Sequence, residues 1–253
     1  MAEMANLLKV DNITVHYGRL AAIRNISFDV DEGEIVCIVG PNGAGKSTTL
    51  LSISGILTPT EGSITFGERN ITGVNPENVA RLGVSQVPEG RHVFTVLNVE
   101  ENLRIGTRMR KDRAEIEKDF KMVLDMFPVL AERKRQPAGK LSGGEQQMLV
   151  IGRALLTRPR LMTIDEPSLG LGPKIVDRVY EVLTELRNRV GLTLLIVEQS
   201  SERALKAADR IHVLRSGQIQ LSGKAKELLD GEKVKQAYFG FATGAKHEGE
   251  VAF

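Results

Sequence analysis

Gly40-Pro41-Asn42-Gly43-Ala44-Gly45-Lys46-Ser47, followed by Thr48, fits the spacing GxxxxGK[ST]. Its glycines let the backbone curl so that several N–H groups point at one anion. The start of a following helix adds the positive end of its dipole, the Lys46 ammonium reaches outer phosphates, and the Ser47 hydroxyl suits Mg²⁺. That chemistry is the binding of a nucleoside triphosphate. A second group fits it: Leu161-Met162-Thr163-Ile164 ends in Asp165-Glu166, two carboxylates at the C-terminal end of a buried strand, where α/β sheets put their ligands. Asp165 suits Mg²⁺, normally through water. Glu166 then faces the γ-phosphate side and can orient or deprotonate the attacking water. A plain glycine-rich turn and a strand that simply ends in acids are the bland alternatives. The two motifs occurring together weigh against both.

The elements that would position these residues are legible around them. Residues 35–39 form a continuous apolar, β-branched run that feeds the glycine-rich loop and then the helix-compatible stretch 46–56, half of an α/β unit. Upstream, residues 7–30 alternate in short bursts that predict two or three strands, with turns at Gly18-Arg19 and at 31–34. Pro59-Thr60-Glu61-Gly62 and Ser63-Ile64-Thr65-Phe66-Gly67 predict a turn and an edge strand. From 89 to 157 strand signals vanish, and Phe120, Val123, Leu124 and Phe127 recur at helical spacing, which predicts a helical subdomain. Its basic run, Arg104, Arg108, Arg110, Lys111 and Arg113 against the single Asp112, reads as a solvated helix face and not as a nucleic-acid site. Strand and helix alternate again from 161, with Ile175, Val176, Val179, Val182, Leu183 and Leu186 as one helix face and 193–197 as strand. A hairpin follows, 211–214 and 218–221, around Ser216-Gly217. The tail 240–253 reads as frayed, and no repeat of fixed period is present.

The 253 residues are 42% apolar, 26% charged and 4% aromatic, which excludes a disordered chain, a collagen and a disulfide scaffold. The length suits one large domain or two small lobes and permits a core without crosslinks. A net charge of +2 leaves no global attraction to nucleic acid or an anionic membrane, so phosphate binding has to be local. The single cysteine, Cys37, lies in the apolar run 35–39 and reads as a core residue in a reducing compartment. Met1 to Asn6 do not read as a secretory signal, so the protein is expected to stay inside. Runs such as Leu192–Val197 fall far short of the ~20 residues needed to cross a bilayer.

Leu141-Ser142-Gly143-Gly144-Glu145-Gln146-Gln147 precedes a stretch of helical character. Ser142 and Glu145 have capping-box spacing, so a well-capped helix start is one reading. The segment also resembles the LSGGQ-like signature of the ATP-binding subunits of ABC transporters, in which the two glycines open an anion site for the γ-phosphate of ATP held by the other protomer. The resemblance runs from about residue 7 to 239. It implies an α/β fold: an ABC-type P-loop ATPase with a RecA-like core, an N-terminal antiparallel β subdomain and an inserted α-helical subdomain. The expected division is one ATPase domain over 1–239, with a core lobe of 7–88 and 157–239 and a helical subdomain of about 89–156, then the tail 240–253.

The resemblance supplies further positions. Tyr17 matches the aromatic that stacks on adenine, with a packed edge tyrosine as the alternative. Glu89 stands where the loop into the helical subdomain normally carries glutamine; its carboxylate remains a hard ligand for Mg²⁺ but adds negative charge, and Gln86 is the substitute three residues earlier. Gln199 replaces the usual switch histidine: an amide can donate to the γ-phosphate but cannot titrate near neutrality. Gly172 replaces the usual aspartate of the loop that crosses between protomers. Val87-Pro88-Glu89-Gly90-Arg91, Glu166-Pro167-Ser168-Leu169-Gly170-Leu171, Val197-Glu198-Gln199, Asp209-Arg210 and Ala237-Tyr238-Phe239-Gly240 are similar to branched-chain amino acid importers, above all to the second, shorter ATPase of those systems.

This implies ATP and Mg²⁺ as cofactors, with Gly40 to Thr48 and Ser142, Gly143, Gly144 and Glu145 binding nucleotide. Ser47, Asp165 and Glu89 would hold the metal, and Glu166, Lys46 and Gln199 would act in catalysis. It implies as partners a second related ATPase, or a homodimer, together with two membrane permease subunits and, indirectly, a periplasmic or lipid-anchored binding protein, and no nucleic acid. The place would be peripheral, on the cytoplasmic face of the inner membrane. Import of an amide or urea, lipopolysaccharide export, and a non-transport ABC ATPase acting on DNA or ribosomes are the rival readings.

Overall fold

In the computed structural model, which describes residues 5–228 and 232–239, the N-terminal alternation forms two long strands, β1 (Asn6–Tyr17) and β2 (Leu20–Asp31), turning at Gly18-Arg19. Then come β3 (Ile35–Val39), α1 (Lys46–Ile53), β4 (Glu61–Phe66) and β5 (Arg69–Asn70). α1 is shorter than the stretch 46–56. Gly55 breaks it in a left-handed conformation, where a side chain would lie 2.2 Å from the Val74 carbonyl. β4 is not an edge strand, because the antiparallel sheet runs β2-β1-β4-β5 and the two residues of β5 cover it.

α2 (Pro76–Arg81) leads into β6 (Val84–Val87). The next stretch is helical: α3 (Val99–Ile105), α4 (Arg113–Met126), α5 (Pro128–Glu132) and α6 (Gly143–Leu155). Strand and helix then alternate through β7 (Leu161–Asp165), α7 (Pro173–Val190), β8 (Thr193–Glu198), α8 (Ser201–Ala207) and β9 (Arg210–Arg215), before β10 (Gln218–Lys224) and α9 (Glu232–Phe239). The fold is α/β. The expectation of fraying for 240–253 and the final Gly240 of the motif near the C-terminus lie outside the described residues.

The second sheet has the order β10-β9-β3-β8-β7-β6, parallel except for β10. β3 is buried at every position because both faces of this sheet are covered. Ile35, Cys37 and Val39 face the cluster built with α6 and α7, which includes Leu149, Ile151, Val182 and Leu186. Val36 and Ile38 face α1 and the antiparallel sheet through Leu50, Ile53, Ile13 and Ile26. Burial pushes the Cys37 thiol well above its ordinary range, which suits a packing role. β3, β8, β7 and β6 are neighbours and parallel, so the segments leaving their C-terminal ends open onto one edge. Those segments carry Lys46, Gln199, Glu166 and Glu89.

Two further expectations need correction. The basic run 104–113 is not one helix face: α3 stops at Ile105, and Gly106 packs so closely on α6 that a Cβ there would lie 2.1 Å from the Arg153 carbonyl. Arg110 is 9% exposed; it pairs with Asp112 and Asp119 at 2.7 Å each and donates to the Leu156 carbonyl at 3.0 Å, fastening α4 to the end of α6. Ile175, expected on the buried face of α7, is 39% exposed at the first turn, while Val176, Val179, Val182, Leu183 and Leu186 are buried. Among the described residues no helix is long and apolar enough to cross a membrane.

Candidate functional site

The loop between β3 and α1 is built for an anion. Gly45, at the N-terminal boundary of α1, has φ +104°, and a Cβ there would lie 2.4 Å from Ile23 Cγ2 and 2.9 Å from the Ala22 carbonyl. A Cβ on Gly40 would lie 2.1 Å from the Leu214 carbonyl, so both ends of the loop exclude side chains. No side chain caps α1 and its first turn holds no acid, which leaves its N–H groups and dipole available to a ligand. Lys46, buried at 4% side-chain exposure, folds back over the loop. Its ammonium donates to the Gly40 carbonyl at 2.9 Å and the Pro41 carbonyl at 3.2 Å, and pairs with Glu166 at 3.1 Å. The Ala44 side chain is buried in the core and its N–H donates to the Pro41 carbonyl at 3.2 Å, so Ala44 shapes the loop from inside.

β7 brings the two acids to the same edge. Asp165 is the last strand residue and buried; Glu166 follows in the left-handed region at φ +46°, its N–H held by the Val197 carbonyl at 2.9 Å. That conformation is costly for a residue with a Cβ, by roughly 1–3 kcal/mol, and turns the chain sharply at the acid. Burial pushes the Asp165 carboxyl up to about 6, helped by the nearby charges of Glu89 and Glu166 and opposed by the Ser47 hydrogen bond and Lys46. Its Oδ1 is buried with no hydrogen-bond partner. A buried carboxylate oxygen left over beside a hydroxyl and two further acids fits a hard divalent cation, which takes few protein ligands when phosphate and water supply the rest.

Tyr17, Asn42, Gly43, Gly45, Lys46, Ser47, Thr48, Glu89 and Glu166 line one cleft of about 430 Å³, with half-exposed Tyr17 on its wall. Gln86 is elsewhere, in a pocket between β6 and α6 beside Pro88 and Arg153. Of the two residues considered for the loop glutamine's role, Glu89 is the one facing the cleft. Gln199 lines an adjoining hollow that shares Glu166 and Leu169 with the cleft. A larger hollow of about 630 Å³ between α7 and α8 has its Arg189 paired with Glu185 and its Lys206 with Glu202, and holds no phosphate loop.

Ser142 to Glu145 do not line this cleft. They begin α6 with the full capping box: Ser142 Oγ accepts the Glu145 N–H at 3.4 Å, and Glu145 accepts the Ser142 N–H at 2.7 Å while pairing with Arg133 at 3.1 Å. The Glu145 carboxylate is thus occupied as a cap. A Cβ on Gly144 would lie 2.4 Å from Ile175 Cγ2, so the Ile175 side chain would have to shift to admit one.

Three functional-looking residues carried no role in the sequence reading. Arg91, itself left-handed at φ +69°, donates to the Leu169 and Gly170 carbonyls at 3.3 and 3.4 Å and lies against Gly143. Buried Glu198 accepts from Ser168, Tyr180 and Gln199. In the sequence Glu198 and Arg91 appear only inside the stretches Val197-Glu198-Gln199 and Val87-Pro88-Glu89-Gly90-Arg91, with no role of their own, and Tyr180 carries no signal.

Residues 23–169 match the family model described as ABC transporter. The chain is 44% identical to the high-affinity branched-chain amino acid transport ATP-binding protein BraG of Pseudomonas aeruginosa, over 92% of this chain and 100% of that protein. Its fold is similar to the ADP conformation of MJ1267, an ATP-binding cassette of an ABC transporter, with a TM-score of 0.82, 31% identity, and coverage of 93% of this chain and 99% of that one. It is also similar to the dimeric structure of MJ0796, a bacterial ABC transporter cassette, with a TM-score of 0.78, 25% identity, and coverage of 87% and 99%.

Proposed function

The chain belongs to the ABC transporter family, and from that premise we propose that it is the ATPase subunit of an importer, coupling Mg²⁺-ATP binding and hydrolysis to uptake of branched-chain amino acids across the cytoplasmic membrane. The observation that carries the catalytic part is the buried Lys46–Glu166 pair beside the partnerless Asp165 oxygen, in a glycine-built anion cleft. The cargo rests on the likeness to BraG over its entire length.

Lys46 holds the Glu166 carboxylate and two loop carbonyls. Phosphates entering the loop compete for that ammonium. As they take it, Glu166 is released to orient the attacking water and accept its proton. Ser47 and Asp165, with Glu89 close by, would hold Mg²⁺, whose part is to neutralise charge on the phosphate oxygens. Gln199 would donate its amide to the γ-phosphate, and Tyr17 would stack on the base. The Ser142–Gly144 turn lies outside its own chain's cleft, which suits a head-to-tail pair in which each α6 start completes the other chain's site, as a second related ATPase or a second copy. Permease subunits and a solute-binding protein complete the system, with this chain peripheral on the cytoplasmic face.

Asp165 sets a pH dependence. A carboxyl with its pKa raised to about 6 is mostly ionised at pH 7 and mostly neutral at pH 5. Since only the ionised form holds the cation, the apparent Mg²⁺ affinity of the ATP-loaded chain is expected to fall from pH 7 to pH 5, beyond the change shown by Mg²⁺-ATP in solution. In the free chain the sign is opposite: protonation relieves a buried charge, so this residue's destabilising contribution is present above pH 6 and fades as pH falls toward 4. Mg²⁺ titrations monitored with a fluorescent ATP analogue at the two pH values check the first statement.

Uptake tests the whole. Vesicles carrying the permease subunits, with and without this chain and with Glu166→Gln as control, are expected to accumulate leucine, isoleucine or valine only with the intact chain and ATP. Hydrolysis without uptake of these three would move the cargo to another small solute or to export. Uptake that does not need Glu166 would remove the catalytic assignment.

A further inference from the structure

β8 is apolar from Leu194 to Val197 and closes on Glu198, which is 1% exposed. A carboxylate at such a place is expensive unless its lone pairs are filled. Oε1 accepts the Ser168 N–H at 3.3 Å and the Tyr180 hydroxyl at 2.9 Å; Oε2 accepts the Ser168 hydroxyl at 3.1 Å and the Gln199 N–H at 3.1 Å. Each carboxylate oxygen faces one backbone N–H, a group that can only donate, so the site needs an acceptor on both sides, while the two hydroxyls adapt to it. Burial and the neighbouring Glu198 charge push the Tyr180 phenol well above its ordinary range, which keeps it a donor. The Glu198 main-chain carbonyl accepts the N–H of Gly40, the first residue of the phosphate loop, at 3.3 Å.

Ser168 lies two residues beyond Glu166, and Gln199 directly follows Glu198. One side chain therefore ties the loop that carries the acid, the segment that carries the amide, and α7. From this arrangement we infer that Glu198 is a positioning residue for hydrolysis, fixing Glu166 and Gln199 relative to each other so that both face the same phosphate. The inference rests on the ATPase reading above and adds to it a residue that touches neither nucleotide nor metal. Arg91 braces the same loop further along, through the Leu169 and Gly170 carbonyls.

Glu198→Gln is the informative change. Whichever oxygen becomes NH₂, a donor then faces a backbone donor, Ser168 N–H in one orientation and Gln199 N–H in the other, so one of the two tethers is lost. In the full chain, kcat is expected to fall at least tenfold with KM for ATP within twofold. The amides of 168–171 or those of 199–201, on the side that loses its tether, are expected to exchange hydrogen faster, with α1 unchanged. Tyr180→Phe removes a bond to the same carboxylate and touches neither segment, so its kcat stays within threefold. It serves as the control for a generic loss of buried bonding. Ser168→Ala, which removes only the hydroxyl arm, is expected to lower kcat several-fold at constant KM and stands in if Glu198→Gln does not fold.

Equal loss of kcat in Glu198→Gln and Tyr180→Phe, a rise of KM in step with the loss of kcat, or unchanged exchange in both segments would overturn the inference. Glu166→Gln run alongside separates the levels. Undiminished hydrolysis in that variant removes the role of Glu166, whereas the exchange result for Glu198 does not depend on turnover.

Discussion

Glu166→Gln is expected to reduce kcat for ATP hydrolysis by about 10²–10⁴-fold while ATP binding persists, the range that positioned proton acceptors supply. The side chain keeps its shape and its left-handed anchorage through the Val197 carbonyl. Its oxygen can still accept from the Lys46 ammonium, now 3.1 Å away, but as a neutral acceptor. What disappears is the group able to take a proton from water. Binding is expected to hold or tighten, because the cleft loses one of the negative charges, with Asp165 and Glu89, that an incoming triphosphate meets. Steady-state turnover and equilibrium binding of a fluorescent ATP analogue, measured on the same preparation, decide the matter. A variant hydrolysing within threefold of the wild type would move the base to another residue, and one that lost binding as well would make Glu166 a structural partner of Lys46 instead.

The parts of this site legible in the sequence are those where local pattern and chemistry coincide. A β-branched run, a glycine loop with a lysine and a helix lie within twenty residues, and all three are forced by contacts of the loop with its own surroundings, such as Gly45 against Ile23. Asp165 and Glu166 were legible because the two acids close a buried strand in a chain that also carries the phosphate loop; alone they would be an ordinary strand end. The remainder depended on long-range register. Glu198 reads as a strand end until β8 is placed between β3 and β7, which delivers Ser168 to its side chain. Arg110 looked solvated because its partner Asp119 and the Leu156 carbonyl are distant in sequence. The same limit applied to β4, whose covering strand β5 has only two residues, too few for any periodicity. Glu89 and Gln86 lie three residues apart, and only the end of β6 at Val87 sends one to the cleft and the other toward α6.

Lys46→Ala is expected to weaken ATP binding by about 10²–10³-fold, and to do so for two separable reasons. The phosphates lose a charge-assisted donor, which accounts for roughly 1.5–3 kcal/mol. The cleft also keeps the Glu166 carboxylate, 10% exposed and now without its cation, so the phosphates meet an additional uncompensated negative charge. The second effect has a signature. Lys46 is one of the influences that hold Asp165 down, so without it the Asp165 carboxyl rises further above about 6, and the fall of Mg²⁺ affinity with acidification moves to higher pH. Lys46→Ala, Glu166→Gln double substitution removes both partners and is expected to recover part of the binding lost by Lys46→Ala alone, although not turnover. Calorimetric titration of the single and double variants at pH 7 and 8 checks both components. Lys46→Arg is not expected to rescue, since the compact ammonium contacts the Gly40 and Pro41 carbonyls and Glu166 from one point, which a planar guanidinium with its donors in a fixed fork does not reproduce. Binding within threefold of the wild type in Lys46→Ala would mean that the backbone N–H groups and the start of α1 hold the phosphates by themselves, and the lysine would then act only on Glu166.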